Sequence, residues 1–471
     1  MTEMRTLLFV LISGALLFAG SYDDYFTAKT MRVDYYHSGK AGEEHFSLDQ
    51  IYETGTWAGS KKHLITPLNL GEYQVRLYDS ASGELIYSRG YSTMFNEWQT
   101  TSEAKERYKT FHETFRLPFA KRPVKLAVAR RDRQMRFREI WSTEIDPQRT
   151  PLINKAVNKP DYRVWALMQN GDPSEKVDLV LLGDGYSAED MEQFRRDART
   201  YNEEMFNTEP FKSHRDKFNV WVVEVVSPES GISRPDKGIW KNNALGSRYF
   251  TFGSPRYILT ENNRVLRDAA GLVPYDYINI LINDNRYGGG GIYNLYTTTY
   301  MRVDHPGQEW QMGYVYVHEF GHAFAGLGDE YYSSSTGYDA FYSKGVEPWE
   351  PNVTALLDKD NIKWKALLTP GIALPTPWKK EAYDKLATAR SRLDRLAADY
   401  YEKREPFISQ QHALLANSPY AGMVGAFEGA GYESRGLYRP AVDCRMFSLG
   451  LVDFDPVCRR ALEEVIEYLS D

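Results

Sequence analysis

Cysteine is almost missing from this sequence. There are two in 471 residues, too few for a scaffold built on disulfides. A surplus of positive charge is missing too. The 57 lysines and arginines face 64 acidic residues, a net charge of −7. A general nucleic-acid binder needs clustered cations to displace counterions from phosphates, so no nucleic-acid partner is expected. Beyond the N-terminus no apolar run approaches the roughly 18 residues that cross a bilayer, and the mature chain is expected to be soluble, with no transmembrane segment. There is no internal repeat. The run Gly288-Gly289-Gly290-Gly291 has no Lys-Ser or Lys-Thr and no helix start behind it, which removes a phosphate-loop reading. Disorder is excluded by ordinary proportions, 42% hydrophobic and 26% charged.

The N-terminus reads as an address. Arg5 precedes an apolar run from Leu7 to Ala19, then small residues Ala19, Gly20 and Ser21, then Tyr22-Asp23-Asp24. That is the pattern of a secretory signal peptide over residues 1–21. It predicts export, to the periplasm, the cell surface or the medium. Ser21 stands where lipidation would require a cysteine.

Residues 22–145 carry short strand-like segments, including Met31–Tyr36, Tyr73–Tyr78, Glu84–Tyr87 and Val124–Val128. Asp79–Gly83 forms a hairpin connection between two of them. A β-sandwich is expected there. Residues 146–160 are polar, hold three prolines and read as a linker. From 161 to 471 the texture is mixed. Val177–Leu182 is a buried strand, Ser187 caps a following helix, and Val220–Val226 and Tyr277–Ile282 are further strands. Between about 376 and 416, Leu386, Ala389, Leu393, Leu396 and Tyr400 recur at helical spacing among charges, predicting one amphipathic helix as an insertion.

The chemistry lies in Val317-His318-Glu319-Phe320-Gly321-His322, an HExxH pattern in an apolar helix. Residues four apart share one helical face, so His318 and His322 can grip one ion. Zinc takes imidazole nitrogens and, in catalytic sites, keeps one position for water. Glu319 is then placed to accept that water's proton. Gly326 and Gly328 can reverse the chain after the helix. The reversal brings Asp329 or Glu330 back as third ligand; Asp329 is preferred and Glu330 stays open.

His318-Glu319-Phe320-Gly321-His322-Ala323-Phe324-Ala325-Gly326-Leu327-Gly328-Asp329-Glu330-Tyr331 resembles the signature of the bacterial IgA-peptidase family of zinc metallopeptidases. Further likeness lies in Leu182–Tyr186, Gly425–Ala430, Tyr438-Arg439-Pro440, Cys444-Arg445-Met446 and Pro456-Val457-Cys458. The resemblance runs from about Arg163 to the C-terminus and more loosely over the β domain. Asp455 departs from it, standing where many members have a cysteine. The charged helix around Leu386 has no place in the family pattern.

The resemblance implies an α+β chain. A zincin-like catalytic domain, with a twisted sheet, an HExxH helix and a Met-turn, follows a β-sandwich. It implies one catalytic Zn2+, and Met446 as an apolar floor below it. It implies a Cys444–Cys458 disulfide, worth about 3 kcal/mol on a loop-entropy argument. Tyr331, Tyr332 and Tyr438 are candidates to steady an oxyanion. Zincin sites present a sheet edge to substrate, and here the strand Ile292–Tyr296, with Ile292 and Asn294 along it, is expected in that role. The leading function is a secreted zinc endopeptidase acting on an extracellular protein or glycoprotein. The β domain is expected to be dispensable for chemistry. Rival functions are a non-catalytic adhesion or glycan-binding protein, a mucin-directed glycopeptidase, and a zinc hydrolase of a non-peptide substrate.

Overall fold

The computed structural model describes residues 21–303, 307–333, 337–338, 341–394, 399–450 and 452–470. Almost all of the expected signal peptide lies outside them.

The N-terminal part opens with a one-turn helix α1 (Tyr22–Tyr25) and strands β1 (Phe26–Lys40), β2 (Glu43–Thr56), β3 (Tyr73–Asp79) and β4 (Leu85–Tyr91). Two short helices follow, α2 (Met94–Trp98) and α3 (Ser102–Glu106), then β5 (Lys109–Ala120), β6 (Val124–Arg131) and β7 (Phe137–Ile145). With β8 (Ile153–Asn154), the strands form two four-stranded sheets, in orders β5-β1-β2-β8 and β4-β3-β6-β7. β3 alternates buried and half-buried residues along its length, the period of a sheet with one face on a core. Val33, Tyr35, Val75, Leu77, Leu126 and Val128 from both sheets meet in that core. The expected linker is partly tied down. Within it β8 (Ile153–Asn154) pairs in parallel with Ile51 and Tyr52 of β2.

The rest is a mixed sheet with helices. Its strands are β9 (Arg163–Met168), β10 (Val177–Asp184), β11 (Phe218–Glu224), β12 (Tyr277–Ile282), β13 (Gly289–Ile292) and β14 (Tyr296–Tyr300). The spatial order is β13-β14-β12-β10-β11-β9, with both outer strands antiparallel to their neighbours. β10 is buried at every residue because both sheet faces are covered. Leu179 and Leu181 enter one core, with helices α4 (Met191–Phe206), α6 (Trp310–Ala325) and α9 (Pro456–Leu469). Val180 and Leu182 enter the other, beside α5 (Asn263–Ala270) and the N-terminal residues Phe95, Trp98 and Phe111. The two parts of the chain therefore share a core. Arg32 also reaches Asp268 at 2.6 Å, and the Ser92 N–H donates to the Tyr293 carbonyl at 3.0 Å.

The 376–416 stretch differs from the single helix expected. It forms two packed helices, α7 (Lys380–Ser391) and α8 (Tyr400–Ala416); Leu396 lies outside the described residues. A hairpin of β15 (Phe427–Ala430) and β16 (Glu433–Arg439) precedes α9. No described helix is long and apolar enough to cross a membrane.

Candidate metal centre

Helix α6 lies against β13 and β14. Glycine makes the contact possible. A Cβ on Gly291 would stand 2.2 Å from the Glu319 carbonyl oxygen, and one on Gly290 would stand 2.6 Å from the Tyr257 ring. The tetraglycine thus serves a close approach of strand to helix. It also relocates the expected substrate edge. The outer strand is Gly289–Ile292, while Tyr293–Leu295 is the hairpin turn, with Asn294 at φ 55°. Ile292–Tyr296 is therefore not a strand, because the chain reverses at Asn294. The Asn294 amide side chain donates to the Gly90 carbonyl at 3.0 Å and its N–H to Ala323 at 2.8 Å.

α6 ends at Gly326, φ 60°. The Gly326 and Leu327 N–H groups donate back to His322 and Gly321 at 3.0 and 3.3 Å, a left-handed cap that turns the chain. Asn352 clamps the loop that follows. It accepts from the Gly328 N–H at 2.7 Å and donates to the Gly328 carbonyl and Glu330 Oε1, each at 2.9 Å. The turn delivers Asp329 to the histidines. Its Oδ1 is 3.0 Å from His318 Nε2 and 3.2 Å from His322 Nε2, and the two Nε2 atoms are 3.2 Å apart.

These three atoms fit a metal ion. A tetrahedral centre with bonds of about 2.0–2.1 Å has edges of roughly 3.3 Å. Each imidazole turns its Nδ1 to a backbone carbonyl, His318 to Arg445 at 3.2 Å and His322 to Leu327. Donation from Nδ1 leaves the Nε2 lone pair free for a ligand, the usual orientation of a metal-bound histidine. Asp329 Oδ1 is buried with no hydrogen bond of its own. Its Oδ2 accepts from the Tyr432 hydroxyl at 2.5 Å. Burial disfavours charge on His322, but the Asp329 and Glu319 carboxylates outweigh it and raise the imidazole to about 9. Burial equally opposes ionisation of Asp329, and the two histidines overcome it, holding the carboxyl well below its usual range.

Beside this triad opens a cavity of about 1040 Å³, including its mouth. Glu319, His322, Asp329 and Tyr331 line it. Burial lifts the Glu319 carboxyl, the histidines oppose the rise and Asp329 adds to it. A carboxylate so placed, on the cavity wall beside the triad, is positioned to accept a proton. Met446 is fully buried beneath the helix. A Cβ on Gly321, between the two histidines, would lie 3.3 Å from its sulfur.

The tyrosines separate. Tyr331 is on the cavity wall, its hydroxyl accepting from Arg256 at 3.0 Å and its ring beside that of His318. Tyr332 instead donates to Asp384 at 2.7 Å. Tyr438 is held in β16, exchanging backbone hydrogen bonds with Thr354 at 3.0 and 2.9 Å. Neither lines the cavity. Sequence reasoning missed Tyr432, Arg256 and Glu97, which no local motif marks. Glu97 comes from α2, so the N-terminal part walls the cavity, and it accepts from Tyr257 and Tyr338 at 2.5 and 2.8 Å.

Glu330, the open alternative as third ligand, faces away from the histidines toward Cys444, Asp455 and Cys458. Those two cysteines are both free, with Sγ atoms 3.8 Å apart; a disulfide needs about 2.05 Å. Only the tertiary packing reveals that two carboxylates share their compartment.

A family model described as IgA Peptidase M64 matches residues 165–466. A second, described as Peptidase M64 N-terminus, matches residues 21–142. No curated protein matches the chain.

Proposed function

The chain belongs to the IgA peptidase M64 family and is a metallopeptidase, and from that premise we propose that it is an exported zinc endopeptidase with a zincin-type site. His318, His322 and Asp329 would hold the ion. When bound, the zinc supplies a Lewis acid that lowers the pKa of a water and polarises the scissile carbonyl. Glu319 takes the water's proton on its carboxylate and passes it to the departing amine. Tyr331, with Arg256 behind its hydroxyl, is positioned to donate to the oxyanion. The peptide runs past the Gly291 end of the outer strand Gly289–Ile292, which borders the cavity and lies on α6; at Gly289 the edge is already taken by the Arg256 carbonyl and the Ile258 N–H, each at 3.1 Å. Met446 forms the apolar floor. The observation that carries this reading is the convergence of Nε2, Nε2 and Oδ1 with both Nδ1 atoms directed to carbonyls.

Export rests on the Arg5, Leu7–Ala19 and Ser21 pattern. The substrate is an extracellular protein or glycoprotein; the family's name does not make it immunoglobulin A, since specificity resides in the pocket. Glu319→Gln tests the mechanism. It should keep one zinc in this site and the native fold while hydrolysis of a quenched fluorescent peptide falls by about 10²-fold or more. His322→Ala should release that zinc as well. Full activity in Glu319→Gln would refute the assignment.

A further inference from the structure

A second cluster of metal-ligating side chains lies one residue beyond Asp329. Glu330, Cys444, Asp455 and Cys458 arrive from the loop after α6, the Met446 turn and the start of α9, and one ligand atom of each lies within 4.8 Å of the others. All four are buried, at 0, 0, 5 and 0% exposure. We propose that they hold a second, structural zinc.

The spacing fits an ion better than a disulfide. With zinc–sulfur bonds of about 2.3 Å, two tetrahedral thiolates stand roughly 3.8 Å apart, and Cys444 and Cys458 Sγ are separated by 3.8 Å. Cys458 Sγ is 3.3 Å from Glu330 Oε1. The neighbours orient each donor while leaving it available. Asp455 Oδ1 caps α9, accepting from Val457 and Cys458 N–H at 2.7 and 3.1 Å, while Oδ2 is buried with no partner. Glu330 Oε1 accepts from Asn352 at 2.9 Å, while Oε2 is buried with no partner. Cys444 Sγ receives two backbone N–H groups, from Met446 at 3.5 Å and Asp455 at 3.4 Å, which stabilise sulfur in its charged form. Four acidic groups in a dry compartment require either protons or a cation. Two sulfurs and two oxygens with no side open to solvent describe a closed zinc site, the structural kind. Binding would displace the two thiol protons to solvent. The ion would tie the loop carrying Asp329 to the turn carrying Met446, which the Glu330 N–H already reaches at the Met446 carbonyl, 2.9 Å.

The test is zinc per chain, by elemental mass spectrometry, on the full mature protein purified under reductant. Wild type should hold two zinc ions and His318→Ala/His322→Ala should keep one. Cobalt substituted into that double variant should show thiolate-to-cobalt charge-transfer absorption, which a site of imidazole and carboxylate lacks. Cys444→Ser/Cys458→Ser should abolish the band; the double histidine variant, with both thiols intact, still decides the matter if the serine variant misfolds. A folded double histidine variant with neither zinc nor the cobalt band overturns the proposal. So does an intact mass showing a Cys444–Cys458 disulfide in protein that carries no second zinc. A wild type that holds one zinc, with that one zinc and the cobalt band both kept in the double histidine variant, would instead sustain this site and refute the catalytic one.

Discussion

Tyr432→Phe removes one hydroxyl and nothing else, and it addresses the zinc site from behind. That hydroxyl donates to Asp329 Oδ2 at 2.5 Å, leaving Oδ1 to face the two Nε2 atoms. A hydrogen bond to a charged acceptor is worth about 1.5–3 kcal/mol. The second oxygen of Asp329 would be left buried and unmatched in the variant, so most of that value should appear as lost zinc affinity. Partners of this kind typically contribute 10–100-fold in metal binding, which is about 1.4–2.8 kcal/mol and agrees with the hydrogen-bond figure. The assay is competition with a chromophoric chelator, read as the zinc dissociation constant of the catalytic site. Tyr332→Phe is the matched control, since its hydroxyl serves Asp384 instead; it should leave zinc affinity within about twofold, as expected for a site without contact. A folded Tyr432→Phe protein with unchanged zinc affinity would show that Asp329 is not oriented by this bond, and would weaken its standing as a ligand.

Asp329→Ala should reduce affinity at the catalytic site far more than Glu330→Ala, measured by the same competition; the reverse order would move the assignment to Glu330. Gly291→Ala forces a methyl against the Glu319 carbonyl oxygen, where an ideal Cβ would sit at 2.2 Å; it should lower stability by about 1–3 kcal/mol and reduce kcat, read by denaturant melts and peptide assay. Burial lifts the Glu97 carboxyl from an ordinary 4.5 to about 7, against the hydroxyls of Tyr257 and Tyr338. The folded state then holds its proton longer than the unfolded chain, so stability falls as pH rises from about 4.5 through 7, by roughly 3 kcal/mol in all. Glu97→Gln should flatten that part of the stability–pH curve; an unchanged curve would refute the burial argument. Removing residues 22–158 should expose the core that Phe95 and Trp98 share with Ile280 and Ile292, giving an aggregating fragment in place of the active one expected from sequence; a soluble, zinc-loaded, active fragment would contradict this.

Local pattern carried much of this protein. Short strand-like segments marked β1, β3 and β6, the largely apolar run Val177–Leu182 marked β10 as a buried strand, and four-residue spacing placed His318 and His322 on one side of a helix. Each depends only on the geometry of a strand or a helix, which neighbouring residues impose on one another. The rest depended on segments distant in sequence. Asp329 and Glu330 are adjacent and chemically alike, and what separates their environments is a left-handed turn at Gly326 and a clamp from Asn352, beyond the reach of any local rule. The reversal at Asn294, which exchanged the expected edge strand for a hairpin turn, depends on contacts with Ala323 and Gly90. Tyr432 meets Asp329 across about a hundred residues of chain, and Glu97 enters the cavity from the other half of the protein. Sequence determined which groups could do chemistry, because reactivity belongs to the residue. Which of them meet, and in how dry a place, was decided by packing, because the energies that orient a buried carboxylate come from partners that the chain brings together only when folded.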